Sequence, residues 1–408
     1  MSAAVRVAYL TSYYPAVSHT FIRREVNALR KLGVDVHTFS INAAHGVDVL
    51  GPRDLAEVET TQYLIGRSRR SIVRDLIRAV RAHPGPVARV AFRAARSRRT
   101  ARDRLWQLFY VAEASILHER LVAADITHIH AHFANAPADV ARWTAALGNR
   151  IGGAWTWSFT MHGPTEFYAV EEHSLPAKLA SADLVACISD FCRSQLMVFS
   201  DPKHWPKFEV VHCGVIPEDF PVAATDGTEP FTVACVGRLV AEKGQPILVD
   251  ALELLKERGV AVRAVFVGDG PARSALEADV VRRGLDATFT GPVGHDVVQT
   301  HLASADAFCL PSFAEGVPVV LMEAMASGLP VVTTRIAGIQ ELVEDGVSGF
   351  VISPGRADLL ADAIAELVKN PEQAQIMGRA GRAKVMAEFD VRGAAAQLAE
   401  AFARMPQR

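Results

Sequence analysis

Two pairs of charged side chains stand where this chain could do chemistry. Glu315 and Glu323 lie eight positions apart in "AEGVPVVLMEAMASG" (314–328), a stretch otherwise built of small and apolar residues. A carboxylate inside such a run needs a partner. Arg238 and Lys243 lie in "VGRLVAEKGQP" (236–246), after a strand-like run and before a helical one. Gly237 permits the tight turn out of the strand. A guanidinium fork, a compact ammonium and a helix N-terminus near Gly244 together suit a di-anion such as a diphosphate. Carboxylates accept hydrogen bonds, so the two acids suit the hydroxyls of a sugar or a ribose. Plainer readings stay open: solvated loop cations, a dipole partner at a helix start, and an internal glutamate paired with a neighbour. If both acids were helical they would differ by about 80° around the axis and could line one side of a cleft at two heights. "VGDGP" (267–271) is another strand-to-helix turn, with Asp269 as a cap, and brings backbone to the same sheet edge.

These loops need a sheet behind them. Apolar runs at 5–10, 34–41, 127–133, 155–163, 183–189 and 209–215 alternate with helical patterns such as 19–33, which ends on a glycine of C-cap type. After the turn-rich 221–230 the pattern restarts, with strand-like runs at 231–237, 263–270, 287–293, 307–312, 330–335 and 349–353. Continuous apolar strands between helices imply parallel sheets covered on both faces. The expected fold class is α/β, with two Rossmann-like domains facing each other across a cleft. The expected boundaries are 1–215, 216–388 and a C-terminal helix, 389–408, that packs back on the first domain.

Composition limits the function classes. The net charge of the 408 residues is −2, which makes the whole molecule no electrostatic magnet for nucleic acid. The five cysteines (187, 192, 213, 235 and 309) are odd in number, irregularly spaced and without a CxxC, as expected of buried, reduced thiols. No apolar run is long enough to span a bilayer. The N-terminus enters a strand pattern at once, without the charged start of a signal peptide, so a cytoplasmic location is expected. One segment departs from the balanced charge: residues 67–104 hold thirteen arginines and two acids, Asp75 and Asp103. Ile72, Val73, Leu76, Ile77 and Val80 share one helix face there, until "HPGP" (83–86) breaks the helix. Such a basic amphipathic surface fits the anionic inner face of a membrane; the alternative is the solvated face of a packed helix pair. His130 and His132 share a strand face, but the sequence offers no third ligand to make a zinc site of them.

"GRLVAEKG", "VGDGP" and "PSFAEGVPVVLMEAMASGLPVVTTRIAGIQELVEDGVSGF" (311–350) resemble, in order and spacing, the donor-binding half of retaining glycosyltransferases of GT-B fold (family 4, glycosyl transferases group 1). The resemblance is dense from about 230 to 390. "YPAVSHTFIRREVNALRKLGVDV" (14–36), "HIHAHFA" (128–134) and "FTMHGPTEF" (159–167) are more loosely similar to the subgroup that builds exopolysaccharide and colanic-acid-type chains. The resemblance implies transfer of a hexose-type sugar, with retention, from a UDP- or GDP-sugar to a glycan, lipid-linked or small-molecule acceptor. It implies that Arg238 and Lys243 bind the diphosphate, that Glu323 binds the ribose, and that Glu315 holds the donor sugar. Gly237, Gly268 and the backbone from Gly291 to Val293 would line the nucleotide. Gly316, Val317, Pro318 and Val319 would offer helix-start amides. His162 matches the family's reaction-centre histidine. Many relatives carry a Gly-Gly pair after the first strand; here Ser18, His19 and Thr20 stand in that loop, with His132 and Glu166 as further acceptor-side candidates. No DxD motif occurs, so no metal or other cofactor is expected. A nucleotide-sugar epimerase of the same architecture and a silent carbohydrate-binding partner are the other classes.

Overall fold

Each apolar run becomes a strand, because a strand buried on both faces has no polar side to show. The structure, a computed structural model, describes residues 5–16, 20–44, 51–98, 100–223 and 230–406. Ser18 and His19 lie outside the described residues, as does most of the turn-rich 221–230.

The chain divides into two units, Met1–Val211 with Ala394–Arg408, and His212–Gly393. The first break falls a few residues before the expected 215. Val215 is tied to the second unit: its amide donates to Phe389 O, and its carbonyl accepts from the Val391 amide. The chain returns to the first unit within the helix Val391–Ala403, whose Phe402 is fully buried there against the rings of Tyr9, His128 and His130.

The first unit holds β1 (Arg6–Tyr13), β2 (Asp35–Asn42), β3 (Gln62–Tyr63), β4 (His128–His132), β5 (Thr156–Met161), β6 (Leu184–Cys187) and β7 (Phe208–Val210). Their order is β3-β2-β1-β4-β5-β6-β7, with every pairing parallel. The two-residue β3 was not legible as an apolar run. β4 and β5 are buried along their whole length.

The second unit holds β8 (Phe231–Val236), β9 (Val262–Val267), β10 (Ala287–Phe289), β11 (Ala307–Leu310), β12 (Val331–Thr334) and β13 (Gly349–Ile352), in the order β10-β9-β8-β11-β12-β13. That is the doubly wound order of a dinucleotide-binding sheet. It reverses between β8 and β11, and the carboxyl ends of strands at such a reversal are where these sheets bind ligands. The helix Gln245–Glu257 buries Leu248, Leu252 and Leu255 on Val233, Phe266 and Ile364. Each such leucine contributes about 1.5–3 kcal/mol by burial.

All five cysteines are buried and free, as expected. Burial pushes the Cys235 thiol up to about 12, so it stays protonated at neutral pH. Among the described residues no helix is long and apolar enough to cross a membrane.

The long helix Ala101–Ala123 of the first unit yields a stability prediction. Burial pushes its Glu113 carboxyl up to about 7, and Oε2 is sequestered without a hydrogen-bond partner. The folded state therefore favours the protonated acid. The stability this group contributes is present below the unfolded value near 4.5 and lost as pH rises through about 7. Glu113→Gln should raise stability at pH 8 by about 1–3 kcal/mol, discounted for partial exposure, and by clearly less at pH 5. Melting curves at the two pH values check this; an equal gain at both would reject the titration.

Candidate functional site

The loop after β8 and the loop after β11 meet at the sheet reversal of the second unit. Gly244 makes the meeting possible. Its φ is +64°, and a Cβ there would fall 2.1 Å from Pro311 O. The first loop thus lies directly on the end of β11, and the Phe313 amide donates to Glu242 O at 2.8 Å. The result is an ion pair: Lys243 Nζ stands 2.6 Å from Glu315 Oε1. The same carboxylate oxygen accepts from Ser312 Oγ at 2.7 Å. Glu315 is only 9% exposed, so its charge is balanced by a short, charge-assisted contact. Arg238 leaves the same loop and is exposed. Gln245, buried at the start of the next helix, donates to Arg238 O at 2.9 Å and holds the loop. Its Oε1 is buried without a hydrogen-bond partner.

"VGDGP" supports this loop from the other side. At Gly268, φ is +134° and a Cβ would lie 2.2 Å from Gly237 O. The Leu239 amide donates to Asp269 O. Gly268 also bridges to Gly291, which places Gly291 and Val293 beside the same turn. The two-glycine turn therefore seats the Arg238 loop by backbone contact.

The helix carrying Glu323 begins at Val319, with Pro318 as its N-cap. Glu315 thus lies in the loop four residues before it, and the two acids do not share one helix. Gly316 and Pro318 explain the late start: glycine costs backbone entropy, and the residue before proline is pushed out of the α region. Gly316 O accepts from the Gly338 amide at 3.3 Å, and Val317 and Pro318 are buried. The first amides of the helix, from Val319 on, have no intrahelical acceptor by geometry. Glu323 is buried in the helix interior, with His295 Nδ1 3.9 Å from its Oε1.

In the first unit a polar network occupies the ends of β4 and β5. Tyr9 Oη donates to Glu25 Oε1 at 2.7 Å. His132 Nε2 lies 3.3 Å from the same oxygen, and His132 Nδ1 is 2.8 Å from His162 Nε2. His162 is half-buried between the rings of Phe21 and Phe133. Burial raises the Glu25 carboxyl above its usual range, partly countered by His130 and the Tyr9 hydroxyl. Thr20 begins the helix Thr20–Lys31 that carries Glu25.

Deeper on the same strand face, His128 lies between Thr156 and Ser158, and His130 between Ser158 and Thr160, at 2.7–3.0 Å. Burial pushes His128 down to about 3 and His130 well below its ordinary value. His128 and His130 are satisfied core histidines. Glu25, His130 and His132 offer metal-type ligand atoms within 4.8 Å of one another, so tertiary structure supplies the third group that the sequence did not. Hydroxyls occupy both nitrogens of His130 and a hydroxyl occupies Glu25, which makes the set a hydrogen-bonded network.

Glu166, an acceptor-side candidate of the first unit, binds backbone. It is 3% exposed, and its two oxygens accept from the Ala134 amide at 2.8 Å and the Gly163 amide at 3.1 Å. It clamps the segment after His132 to the segment after His162. Lys178 is the residue sequence reading missed most completely. Fully buried, it lies 2.7 Å from Asp139 Oδ2 and donates to Ala134 O and Asn135 O at 2.6 and 3.2 Å. Ser312 and Gln245 were missed too. Their only signal was adjacency to Glu315 and Lys243.

The comparisons with known proteins agree with this architecture. Residues 217–384 match the glycosyl transferases group 1 family. The chain is 28% identical to the amylovoran biosynthesis glycosyltransferase AmsK of Erwinia amylovora over 98% of this chain and all of that protein. It is 34% identical to a GDP-mannose-dependent phosphatidylinositol monomannoside mannosyltransferase of Mycobacterium tuberculosis, over 53% of this chain and 61% of that protein. Its fold is similar to that of Anabaena HepE, solved with UDP-glucose, at a TM-score of 0.73 and 19% identity over 98% and 99% of the two chains. The two parallel Rossmann-like sheets are those of GT-B glycosyltransferases. The family match lies on the unit that holds the Lys243–Glu315 loops, so residues 217–384 form a glycosyl transferases group 1 domain.

Proposed function

We propose that this protein transfers a hexose-type sugar from UDP- or GDP-sugar to a glycan, lipid-linked or small-molecule acceptor. The transfer retains configuration, needs no metal, and serves cell-surface polysaccharide or glycolipid synthesis. The observation that carries the reading is the Lys243–Glu315 pair, 2.6 Å apart at the sheet reversal. An ammonium held there is oriented before the donor arrives. Arg238 and Lys243 take up the diphosphate charge as the glycosidic bond to phosphate breaks, with the amides of the helix starts beside them. Glu315 holds the sugar hydroxyls and Glu323 those of the ribose. His162 positions donor sugar or acceptor. Loss of a nucleoside diphosphate needs little acid catalysis once cations carry its charge, so positioning and electrostatics do most of the work. Attack on the same face as departure, within an ion pair, gives retention without a carboxylate nucleophile. AmsK, named for amylovoran biosynthesis, supports the polysaccharide setting. The mannosyltransferase named for GDP-mannose and the HepE complex with UDP-glucose support the two bases.

The test is nucleoside diphosphate release from a panel of UDP- and GDP-sugars, with and without acceptor extract, in the presence of a chelator. The expected result is acceptor-dependent release from one donor, unaffected by the chelator, giving a product whose NMR shows the donor's anomeric configuration. No release from any donor would sink the transferase reading, an inverted product would sink retention, and activity lost to the chelator and restored by magnesium would sink metal independence.

A further inference from the structure

Two helices of the first unit carry a surface that sugar transfer does not use. On the helix Arg69–Ala82 the apolar stripe is wider than the face that packs. Ile72 and Leu76 are half-buried and Ala79 is buried. Val73 and Ile77, on the same stripe, remain 54% and 45% exposed. These two lie in a shallow depression walled by Arg69, Arg70, Arg74, Arg78 and Arg81. The helix's acid, Asp75, sits 3.0 Å from Arg67 and 3.9 Å from Arg120, and their guanidinium charges hold its carboxyl below the usual range against the cost of burial. The next helix, Pro84–Arg96, repeats the design. It buries Val87, Val90 and Ala94 and leaves Phe92 65% exposed. Arg89, Arg93 and Arg96 surround that ring, with the Arg96 guanidinium 5.5 Å from its centre.

An occupant of this surface must accept apolar side chains and supply negative charge at once. A second copy of the same face would set arginine against arginine. A bilayer interface with anionic headgroups meets both demands: Val73, Ile77 and Phe92 enter the boundary between headgroups and acyl chains, and guanidinium forks take the phosphates. We infer that the helices Arg69–Ala82 and Pro84–Arg96 form a docking surface for an anionic lipid membrane. The surface brings the enzyme to a bilayer independently of nucleotide binding, which belongs to the other unit's loops.

The experiment is co-sedimentation of the full-length protein with vesicles of phosphatidylcholine alone and of phosphatidylcholine mixed with phosphatidylglycerol, at low and high salt. Binding is expected only to the mixed vesicles, weakening as salt rises. Arg70→Glu with Arg78→Glu should lower the partition at least about tenfold, with circular dichroism and nucleotide affinity unchanged. Phe92→Ala with Ile77→Ser should lower it while leaving its salt dependence in place, since that pair removes only the apolar contribution. Three outcomes overturn the inference: no binding to anionic vesicles at low salt, equal binding to both vesicle types, or a folded charge-reversal variant that binds like the wild type. Failure here leaves donor turnover untouched, so it is distinguishable from failure of the transferase reading.

Discussion

Arg238→Ala should lower turnover by about 10²–10³-fold with the melting temperature unchanged, the loss typical of removing one group that stabilises developing charge. The second half of that expectation comes from the structure. Arg238 is exposed, and among the described residues no ion pair holds it; its backbone carbonyl accepts from Gln245 and from the Val240 amide. Its guanidinium is therefore available for a diphosphate, and its removal strips little from the fold. Lys243→Ala should behave differently. It too removes a cation from the diphosphate site, with a loss of similar size. It also leaves Glu315, 9% exposed, with Ser312 but without its ammonium. Stability should then fall by about 1–3 kcal/mol, the range for a buried acceptor deprived of its partner. Adding Glu315→Gln to Lys243→Ala should recover part of the stability and none of the turnover, because the neutral amide does not need the cation and the diphosphate still does. Steady-state kinetics and thermal melts on the three variants decide the matter. Near-wild-type turnover in Arg238→Ala would remove the diphosphate assignment, and a large drop in its melting temperature would show a structural role instead.

Lys178→Met is expected to give the largest loss of stability, about 3–5 kcal/mol, the cost of leaving a buried charge without its partner. Methionine matches the length and leaves no void to speak of, so cavity formation is not the cause. Three acceptors lose their donor together: Asp139 and the carbonyls of Ala134 and Asn135. An ammonium has three N–H donors, and here all three have acceptors, two buried and one, Asn135 O, partly buried. Arg98, 3.9 Å from Asp139, offsets some of the stranded charge, which favours the lower end of the range. Burial pulls the Lys178 ammonium below its ordinary value while Asp139 pushes back. Asp139→Asn added to Lys178→Met should therefore restore part of the loss. Because the chain has two units, the denaturant transition of the first unit is the quantity to follow. A loss under about 1 kcal/mol would mean that water reaches Asp139 once the lysine is gone. Activity should fall as well if the segment 133–135, which Lys178 and Glu166 hold between them, positions His132 and through it His162.

The strands and the cation loop were legible in the residues themselves. Parallel strands covered on both faces must be apolar throughout, so runs such as "AFCLPS" and "WTWSFTMHG" announced β11 and β5 without any knowledge of their neighbours. Gly237 and Gly244 marked the loop, since only a residue without Cβ can turn there, and the helix behind it made Arg238 and Lys243 candidates for a di-anion. Which groups meet was a different matter. Lys243 and Glu315 are 72 residues apart, and they touch because β8 lies beside β11. Strand order is a property of the packed sheet, and a period of two or 3.6 residues carries no trace of it. The same holds for Glu25, which nothing in its local sequence singles out and which packing sets against Tyr9 and His132. Nothing in "LPAKLAS" marks Lys178 for burial, and only the carboxylate of Asp139 and the carbonyls of Ala134 and Asn135 make its burial tolerable. Local pattern thus determined the elements and named the chemistry that their loops could do. Contacts between distant loops decided which carboxylate neutralises which cation, because charge pairing depends on distance through space.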